Sequence, residues 1–252
     1  MSPEKPTILF IPGAWHLPDV FDAVRACLAL SGYPTAAPAL PSVGAEPPDK
    51  RLADDISFVA GELEALCNQG KKVVVVAHSY GGIVGASAVE HLEYAQRQAA
   101  GQQGGVIMLV YMSAFVISQG ISLLQMFGGN YLPWMHLRGN YCTTSSQNIV
   151  FYHDLAPDAQ KKWISRLTHT SRAVFEDIVP YEPWHTLPCM YIFCEDDRAL
   201  PVSMQEDMAA RLGDYTSYRC DSSHSPFLSV PGQVAEACQL AAKVGLERSA
   251  AV

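Results

Sequence analysis

Residues 71–85, KKVVVVAHSYGGIVG, decide the fold, because four consecutive valines lead there into a serine flanked by small residues. A continuous run of β-branched apolar residues is typical of a strand that is covered on both faces, as in a parallel sheet. The glycines after Ser79 predict a tight turn, and Gly82–Arg97 is predicted to form a helix. The stretch therefore predicts a buried strand, a turn that carries Ser79, and a helix that leaves the turn.

Apolar runs and helical patterns alternate along most of the chain. Strands are predicted at Thr7–Ile11, Pro34–Ala37, Val73–Val76, Val106–Tyr111, Met190–Phe193 and Thr216–Arg219. This alternation favours an α/β fold with a mainly parallel, doubly wound sheet of about six strands. Residues 115–187 break the alternation, since they are rich in aromatic residues and methionine. We expect them to form a small, mostly helical cap inserted into a core made of residues 1–114 and 188–252.

Composition narrows the classes of function. The net charge of −8 and the absence of any basic cluster larger than Lys71-Lys72 or Lys161-Lys162 argue against a nucleic-acid partner. No apolar run reaches membrane-spanning length, and the run near the N-terminus is too short for a signal peptide. Seven widely spaced cysteines without a C-x-x-C pair favour reduced thiols. We expect a cytoplasmic protein with a small-molecule substrate and neither metal nor cofactor; its oligomeric state stays open, with a homodimer as one candidate.

Ser79 lies in a small-x-Ser-x-Gly pattern, which is the signature of a nucleophile elbow between a strand and a helix. A serine hydroxyl needs a base, and the base needs an acid to orient it. Two later loops follow predicted strands and would lie at the same edge of a parallel sheet. One contains Glu195, Asp196 and Asp197 as candidate acids, and the other contains His224 as the candidate base. The alternative for Ser79 is an ordinary helix cap.

An oxyanion hole would complete such a site. One donor is expected to be the main-chain N–H of Tyr80, directly after the serine. The loop after the first strand reads PGAWH, and its Gly13 allows close approach, so the N–H of Ala14 is the expected second donor. Trp15 and His16 are expected to line the mouth of the pocket, although plain packing explains Trp15 equally well.

The chain resembles the α/β-hydrolase superfamily, within its compact branch of plant methyl esterases, hydroxynitrile lyases and fungal and bacterial homologues. The matching segments span nearly the whole chain and are FIPGAWHLPDVFDAV, VVVVAHSYGGIVG, FYHDLAPDAQKKWISRLT, YIFCEDDRALPVSMQEDM and SSHSPFLSVPGQVAE. The resemblance implies a catalytic triad of Ser79, Asp197 and His224, in which the acid lies four residues before Pro201. It also implies a cap that matches the insertion Phe115–Leu187.

Two positions depart from this branch. Many relatives have His-Gly in the loop after the first strand, where this chain has Pro12-Gly13. Hydroxynitrile lyases of the branch resemble one another in having a lysine directly after the catalytic histidine, where this chain has Ser225. The first change keeps the main-chain donor, and the second weakens the lyase interpretation.

The leading hypothesis is a serine hydrolase that cleaves an ester, lactone or thioester of a small apolar or aromatic substrate through an acyl-enzyme. The expected substrate-binding residues of the cap are Phe127, Tyr131, Trp134 and Trp184, with core packing as the alternative for each. A second class keeps the triad but acts as a lyase, cyclase or C–C bond hydrolase, for which a role in specialised metabolism is suggested by the fungal resemblance. A third class is a binding module without turnover.

Overall fold

Six parallel strands form the central sheet of the protein, whose computed structural model describes residues 5–251. The strands within these residues are β1 Thr7–Ile11, β2 Thr35–Ala36, β3 Lys72–His78, β4 Gly105–Met112, β5 Met135–Arg138, β6 Tyr141–Thr144, β7 Thr170–Ser171, β8 Cys189–Cys194 and β9 Tyr215–Cys220. The helices are α1 Asp22–Leu30, α2 Leu52–Asn68, α3 Gly81–Ala88, α4 Tyr94–Ala99, α5 Leu123–Met126, α6 Gln147–Val150, α7 Pro157–Ile164, α8 Val202–Ala209, α9 Pro226–Ser229 and α10 Pro231–Ser249. Short 3₁₀ turns lie at Pro18–Phe21, Arg172–Phe175, Pro183–His185 and Ala210–Leu212.

The central sheet has the strand order β2-β1-β3-β4-β8-β9, and every neighbouring pair is parallel. Parallel strands end at the same edge of a sheet, so the loops after β1, β3, β4, β8 and β9 meet there. The predicted α/β fold with about six parallel strands is confirmed. Strand β3 lies near the middle of the sheet, so loops from both sides surround its carboxyl end.

Alternate residues of the strands pack into two apolar layers. On one face Ile8 and Val74 contact the apolar side of α1 and α10, and on the other face Leu9 and Val75 contact α2 and α3. Successive side chains of a strand point to opposite faces, so a strand buried on both sides needs a continuous apolar run. The four valines of β3 are fully buried for this reason.

The cap between β4 and β8 contains α5 to α7, two 3₁₀ turns and a three-stranded antiparallel sheet of β5, β6 and β7. The sequence analysis predicted the insertion but not this sheet, because its strands have only four, four and two residues. The sheet is continued by a bridge from Thr170 of β7 to Val43 in the loop that follows β2. The cap is thereby joined to the core beside the carboxyl edge of the central sheet.

The prediction of a single helix at Gly82–Arg97 is wrong in one respect, because the structure has two helices there. Residues 89–93 separate α3 from α4, and His91 takes a left-handed backbone conformation with φ of 64°. In this break the carbonyl of Leu92 accepts a hydrogen bond of 2.8 Å from Val106 N–H at the start of β4. The chain leaves the helix to pair with the sheet, although no glycine or proline marks the break.

Residues 1–4, part of the segment from which the lack of a signal peptide was predicted, and residue 252 lie outside the described residues. All seven cysteines are free thiols, and six of them are buried. Between residues 5 and 251, the helices are all too short or too polar to cross a membrane.

Candidate active site

Ser79 lies between the end of β3 and the start of α3, at the carboxyl edge of the sheet. Its φ of 53° is in the left-handed region, which residues with a side chain rarely adopt. A Cβ atom added to Gly81 would lie 2.6 Å from the carbonyl oxygen of Pro12, so only glycine fits there. The strained turn is therefore held by two backbone segments in contact, and Ser79 faces a cavity above it.

The structure brings Ser79, His224 and Asp197 together in one hydrogen-bonded chain. His224 Nε2 lies 3.0 Å from Ser79 Oγ, and His224 Nδ1 lies 2.7 Å from Asp197 Oδ2. A carboxylate accepts hydrogen bonds, so the ring proton resides on Nδ1 and leaves Nε2 free to accept the serine proton. Since Ser79, Asp197 and His224 are all buried, water has little access to these hydrogen bonds. The arrangement is that of a nucleophile, a base and an orienting acid.

Asp197 is fixed by groups other than the histidine. Its Oδ1 accepts hydrogen bonds from the main-chain N–H groups of Ala199 and Leu200, at 2.7 and 2.8 Å. Its Oδ2 also accepts a hydrogen bond from the hydroxyl of Ser113, the first residue after β4. Several donors thus satisfy the buried carboxylate and hold it in one orientation.

The two other candidate acids of the same loop point away from the site. Glu195 forms an ion pair with Arg219 at 2.7 Å on the surface, and Asp196 is exposed to solvent. Among the three acids left open by the sequence pattern, Asp197 is the one in contact with His224.

The main-chain N–H groups of Ala14 and Tyr80 are placed to serve as an oxyanion hole. Both residues are buried and line the cavity together with Ser79. Neither N–H donates a hydrogen bond to another group within residues 5–251. Unpaired buried N–H groups are rare in proteins, and here two of them border the nucleophile. They are therefore available to an oxygen atom that develops negative charge beside Ser79.

Two further histidines lie under the turn. His78 Nε2–H donates a hydrogen bond of 2.8 Å to the carbonyl oxygen of His224, and His16 Nδ1–H donates one of 2.8 Å to that of Ala14. Burial, together with repulsion from a charged His224, lowers the pKa of His16 to about 4 and the pKa of His78 well below its ordinary value. Both rings are neutral at physiological pH and act as structural groups.

The cavity above Ser79 has an apolar lining. Besides Ser79, Ala14, Ala199 and His224, the described residues that line it are Trp15, Tyr80, Phe115, Leu123, Phe127, Leu132, Trp134, Met135, Phe175 and Leu200. None of these carries a charged side chain. A lining of this kind suits the neutral, apolar part of a small organic molecule.

Residues 8–237 match the sequence profile of the Alpha/beta hydrolase family, which covers most of the chain. The chain belongs to this family.

Known relatives agree with the family assignment. An alpha/beta hydrolase of Aspergillus novofumigatus, nvfD, is 27% identical over 249 residues, which cover 96% of this chain and 99% of that protein. A pyrethroid hydrolase from Sphingobium faniae JZ-2 has a similar structure, with a TM-score of 0.73, 21% identity and coverage of 96% of this chain and 99% of the other. The structure of polyneuridine aldehyde esterase has a TM-score of 0.76 at 17% identity and covers 94% of this chain and 98% of the other. The predicted α/β-hydrolase enzyme, with esterases among its structural neighbours, is confirmed.

Half of the predicted substrate-binding residues lie at the cavity. Trp15, Phe127 and Trp134 contribute to its wall. His16, Tyr131 and Trp184, in contrast, are not among the described residues that line it, and a role of these three in substrate binding stays a prediction.

Each of the three has another environment. His16 is turned inward, since both of its ring nitrogens are engaged in hydrogen bonds. Tyr131 donates its hydroxyl to Glu176 at 2.9 Å on the outer side of the cap. Trp184 lies in the 3₁₀ turn that precedes β8, at the amino edge of the sheet, where it borders a separate surface cleft. Aromatic composition alone does not reveal on which side of the cap a ring lies.

The sequence analysis missed Ser113, Phe115 and Phe175. Ser113 follows directly on the buried strand β4, so a polar residue at the carboxyl end of a strand was the available signal. Phe115, two residues later, lines the cavity for the same topological reason. Phe175 comes from a 3₁₀ turn of the cap, where the sequence shows no periodicity that would place it.

The buried neutral His16 makes stability depend on pH. In the unfolded chain the pKa of His16 returns to about 6.5. The unfolded state therefore binds a proton below pH 6.5, whereas the folded state binds it only below about pH 4. Since the folded-state pKa is the lower one, stability is lost as the pH falls from 6.5 to 4. We expect the wild-type free energy of unfolding to fall over this interval by on the order of 3 kcal/mol more than that of His16→Asn, as measured by urea denaturation. Equal pH dependences of the two proteins would contradict the assignment of a neutral His16.

Proposed function

We propose that the protein is a serine esterase that hydrolyses a neutral carboxylic ester, lactone or thioester with a small apolar or aromatic group. The observation that carries the proposal is the contact of His224 with Ser79 Oγ at 3.0 Å and with Asp197 at 2.7 Å, beneath an apolar cavity. The names of two structural neighbours, a pyrethroid hydrolase and polyneuridine aldehyde esterase, support ester cleavage as the proposed reaction.

Acylation begins when the substrate carbonyl carbon lies against Ser79 Oγ. His224 Nε2 takes the hydroxyl proton as the oxygen attacks, and the carbonyl oxygen becomes an oxyanion that accepts hydrogen bonds from the N–H groups of Ala14 and Tyr80. His224 then donates this proton to the oxygen of the departing alcohol, or to the sulfur of the departing thiol. The products of this half-reaction are the free leaving group and an acyl ester on Ser79.

Deacylation repeats these steps with water. His224 takes a proton from the water molecule as its oxygen attacks the acyl carbon, and it returns the proton to Ser79 Oγ when the tetrahedral intermediate collapses. Asp197 holds the tautomer of His224 and stabilises its positive charge in both half-reactions. Water and ester thereby yield a carboxylic acid and restore the enzyme.

Neutrality of the substrate follows from the lining of the cavity. Because the described lining residues include no Asp, Glu, Lys or Arg, a charged substrate group would lose its hydration without gaining a partner. Aromatic rings supply broad apolar contact instead. The position after His224, which is a lysine in the hydroxynitrile lyases this chain resembles, is the fully buried Ser225, so it provides no cation for a cyanide leaving group.

The first test is labelling of the native protein with a fluorophosphonate, followed by peptide mapping. We expect the label on Ser79 and its loss in Ser79→Ala, together with a loss of ester hydrolysis of at least about 10⁴-fold. Ser87→Ala is the matched control, because Ser87 is a buried serine of α3 whose hydroxyl has no partner within the described residues. A Ser79→Ala variant that keeps its esterase activity would refute the proposal, and turnover without an acyl-enzyme would favour the lyase or cyclase alternative.

The second test separates Asp197 from its exposed neighbour. Asp197→Asn is expected to lower kcat by about 10³- to 10⁴-fold, since an amide cannot hold His224 in the productive tautomer. Asp196→Asn is expected to leave kcat within about twofold, because its side chain lies in solvent. Steady-state kinetics on one 4-nitrophenyl ester decide the matter, and a similar kcat for both variants would remove Asp197 from the mechanism.

The third test compares two esters that differ in charge. We expect the 4-nitrophenyl ester of butyric acid to be hydrolysed with a kcat/KM at least about 100-fold higher than the mono(4-nitrophenyl) ester of succinic acid, whose second carboxylate would be buried without a cation. Both release 4-nitrophenolate, so one absorbance assay serves. Equal values would contradict a neutral substrate class.

A further inference from the structure

The loop after β1, residues 12–16, is held in a strained conformation. Trp15 has φ of 66°, in the left-handed region that a bulky residue rarely adopts. Such a conformation costs on the order of 1–3 kcal/mol and persists only where its surroundings fix it. We call this segment the oxyanion loop, because it contributes the N–H of Ala14 to the site.

The cap provides the hydrogen bonds that fix the oxyanion loop at Trp15. The main-chain N–H of Trp15 donates to Thr170 Oγ1 at 2.8 Å, and its carbonyl accepts from the N–H of Thr168 at 3.1 Å. The indole Nε1–H donates to the carbonyl oxygen of Cys142 at 3.0 Å. All three partners belong to the cap, although Trp15 itself belongs to the core.

A fourth connection runs through His16. Its Nδ1–H donates to the carbonyl oxygen of Ala14 at 2.8 Å, so the neutral ring presents Nε2 as an acceptor. The hydroxyl of Tyr152, a fully buried cap residue, lies 2.8 Å from this Nε2 and therefore donates to it. The Ala14 carbonyl thus sets the tautomer of the His16 ring, and a single cap hydroxyl holds the other side of the ring in place.

We propose that Tyr152, acting through His16, is a positioning residue for the oxyanion hole, so that the cap completes the catalytic machinery as well as covering the cavity. This inference rests on the proposed esterase function. Ala14 follows Gly13, whose carbonyl accepts a long hydrogen bond of 3.4 Å from the N–H of His16, so the direction of the Ala14 N–H also depends on what holds the other side of the residue. The Ala14–Trp15 peptide is held at both ends, by His16 at its carbonyl and by Thr170 at its N–H.

The test is Tyr152→Phe, which keeps the ring and removes the hydroxyl. Loss of a complete oxyanion donor costs 10²- to 10³-fold in kcat, and we expect a misdirected donor to cost about tenfold. KM is expected to change less than twofold, because the oxyanion exists only in the transition state. The rate of Ser79 labelling by a fluorophosphonate, which also forms an oxyanion, is expected to fall by a similar factor.

Tyr111→Phe is the matched control. Tyr111 is a fully buried tyrosine of β4 whose hydroxyl has no partner within the described residues. It lies in the core sheet, where its ring stacks on that of Tyr191. Its kcat and labelling rate are expected to remain at the wild-type level, so a general effect of removing a buried hydroxyl is excluded by comparison.

Two substitutions of His16 test the role of its ring. In His16→Asn the side-chain amide can take the place of Nδ1–H and donate to the Ala14 carbonyl, whereas His16→Leu cannot. We expect His16→Asn to retain a higher kcat than His16→Leu at equal KM. A role in stability alone would lower the free energy of unfolding in both without this difference in kcat.

Thr170→Val provides an independent measurement if Tyr152→Phe does not fold. It removes the acceptor at the other end of the Ala14–Trp15 peptide and is expected to lower kcat by a similar factor at unchanged KM. The proposal is overturned if the folded variants lose only stability or substrate affinity and keep kcat. Loss of activity in Ser79→Ala with full kcat in Tyr152→Phe would refute the positioning role alone, whereas an active Ser79→Ala would refute the esterase function itself.

Discussion

The active site depends on the close approach of two backbone segments at the carboxyl edge of the sheet, the turn after β3 and the loop after β1. A Cβ on Gly81 would lie 2.6 Å from the carbonyl oxygen of Pro12, and one on Gly13 would lie 2.9 Å from the Cβ of Ser79. Only because both positions lack side chains can the N–H of Ala14 border the same cavity as Ser79 Oγ. One steric requirement therefore sets the strained conformation of the nucleophile and the position of the oxyanion donor together.

The apolar cap and the charged acid under it are complementary parts of one electrostatic arrangement. Asp197 is buried as a carboxylate, which is tolerable because four donors satisfy it, from Ala199, Leu200, Ser113 and His224. The walls of the space above are apolar, and hydrogen bonds in an apolar medium are stronger than in water. The lining that suits an apolar substrate thus also strengthens the contacts between His224 and Asp197.

The sequence was most informative where one interaction dominates. Four valines specify a doubly covered strand, and the glycines after Ser79 specify the turn, so the sheet and the position of Ser79 at its carboxyl edge could be predicted. The choice of Asp197 over Asp196 needed the family resemblance, since adjacent acids in a loop differ only in direction. The sheet of the cap and the inward turn of His16 could not be predicted, because short strands and hydrogen bonds between distant segments leave no periodic signal.

Three histidines lie at the site, and their surroundings explain why His16 and His78 do not compete with His224 for a proton. The rings of His78 and His224 lie 4.6 Å apart, and those of His78 and His16 lie 5.8 Å apart. Each of the two additional rings gives its single proton to a carbonyl oxygen, which stabilises imidazolium much less than a carboxylate does. Full burial lowers the pKa of both. In the proposed mechanism the proton of Ser79 therefore passes to His224, the one ring that has Asp197 as its partner, and the positive charge of the transition state lies between this acid and the oxygen atoms that react.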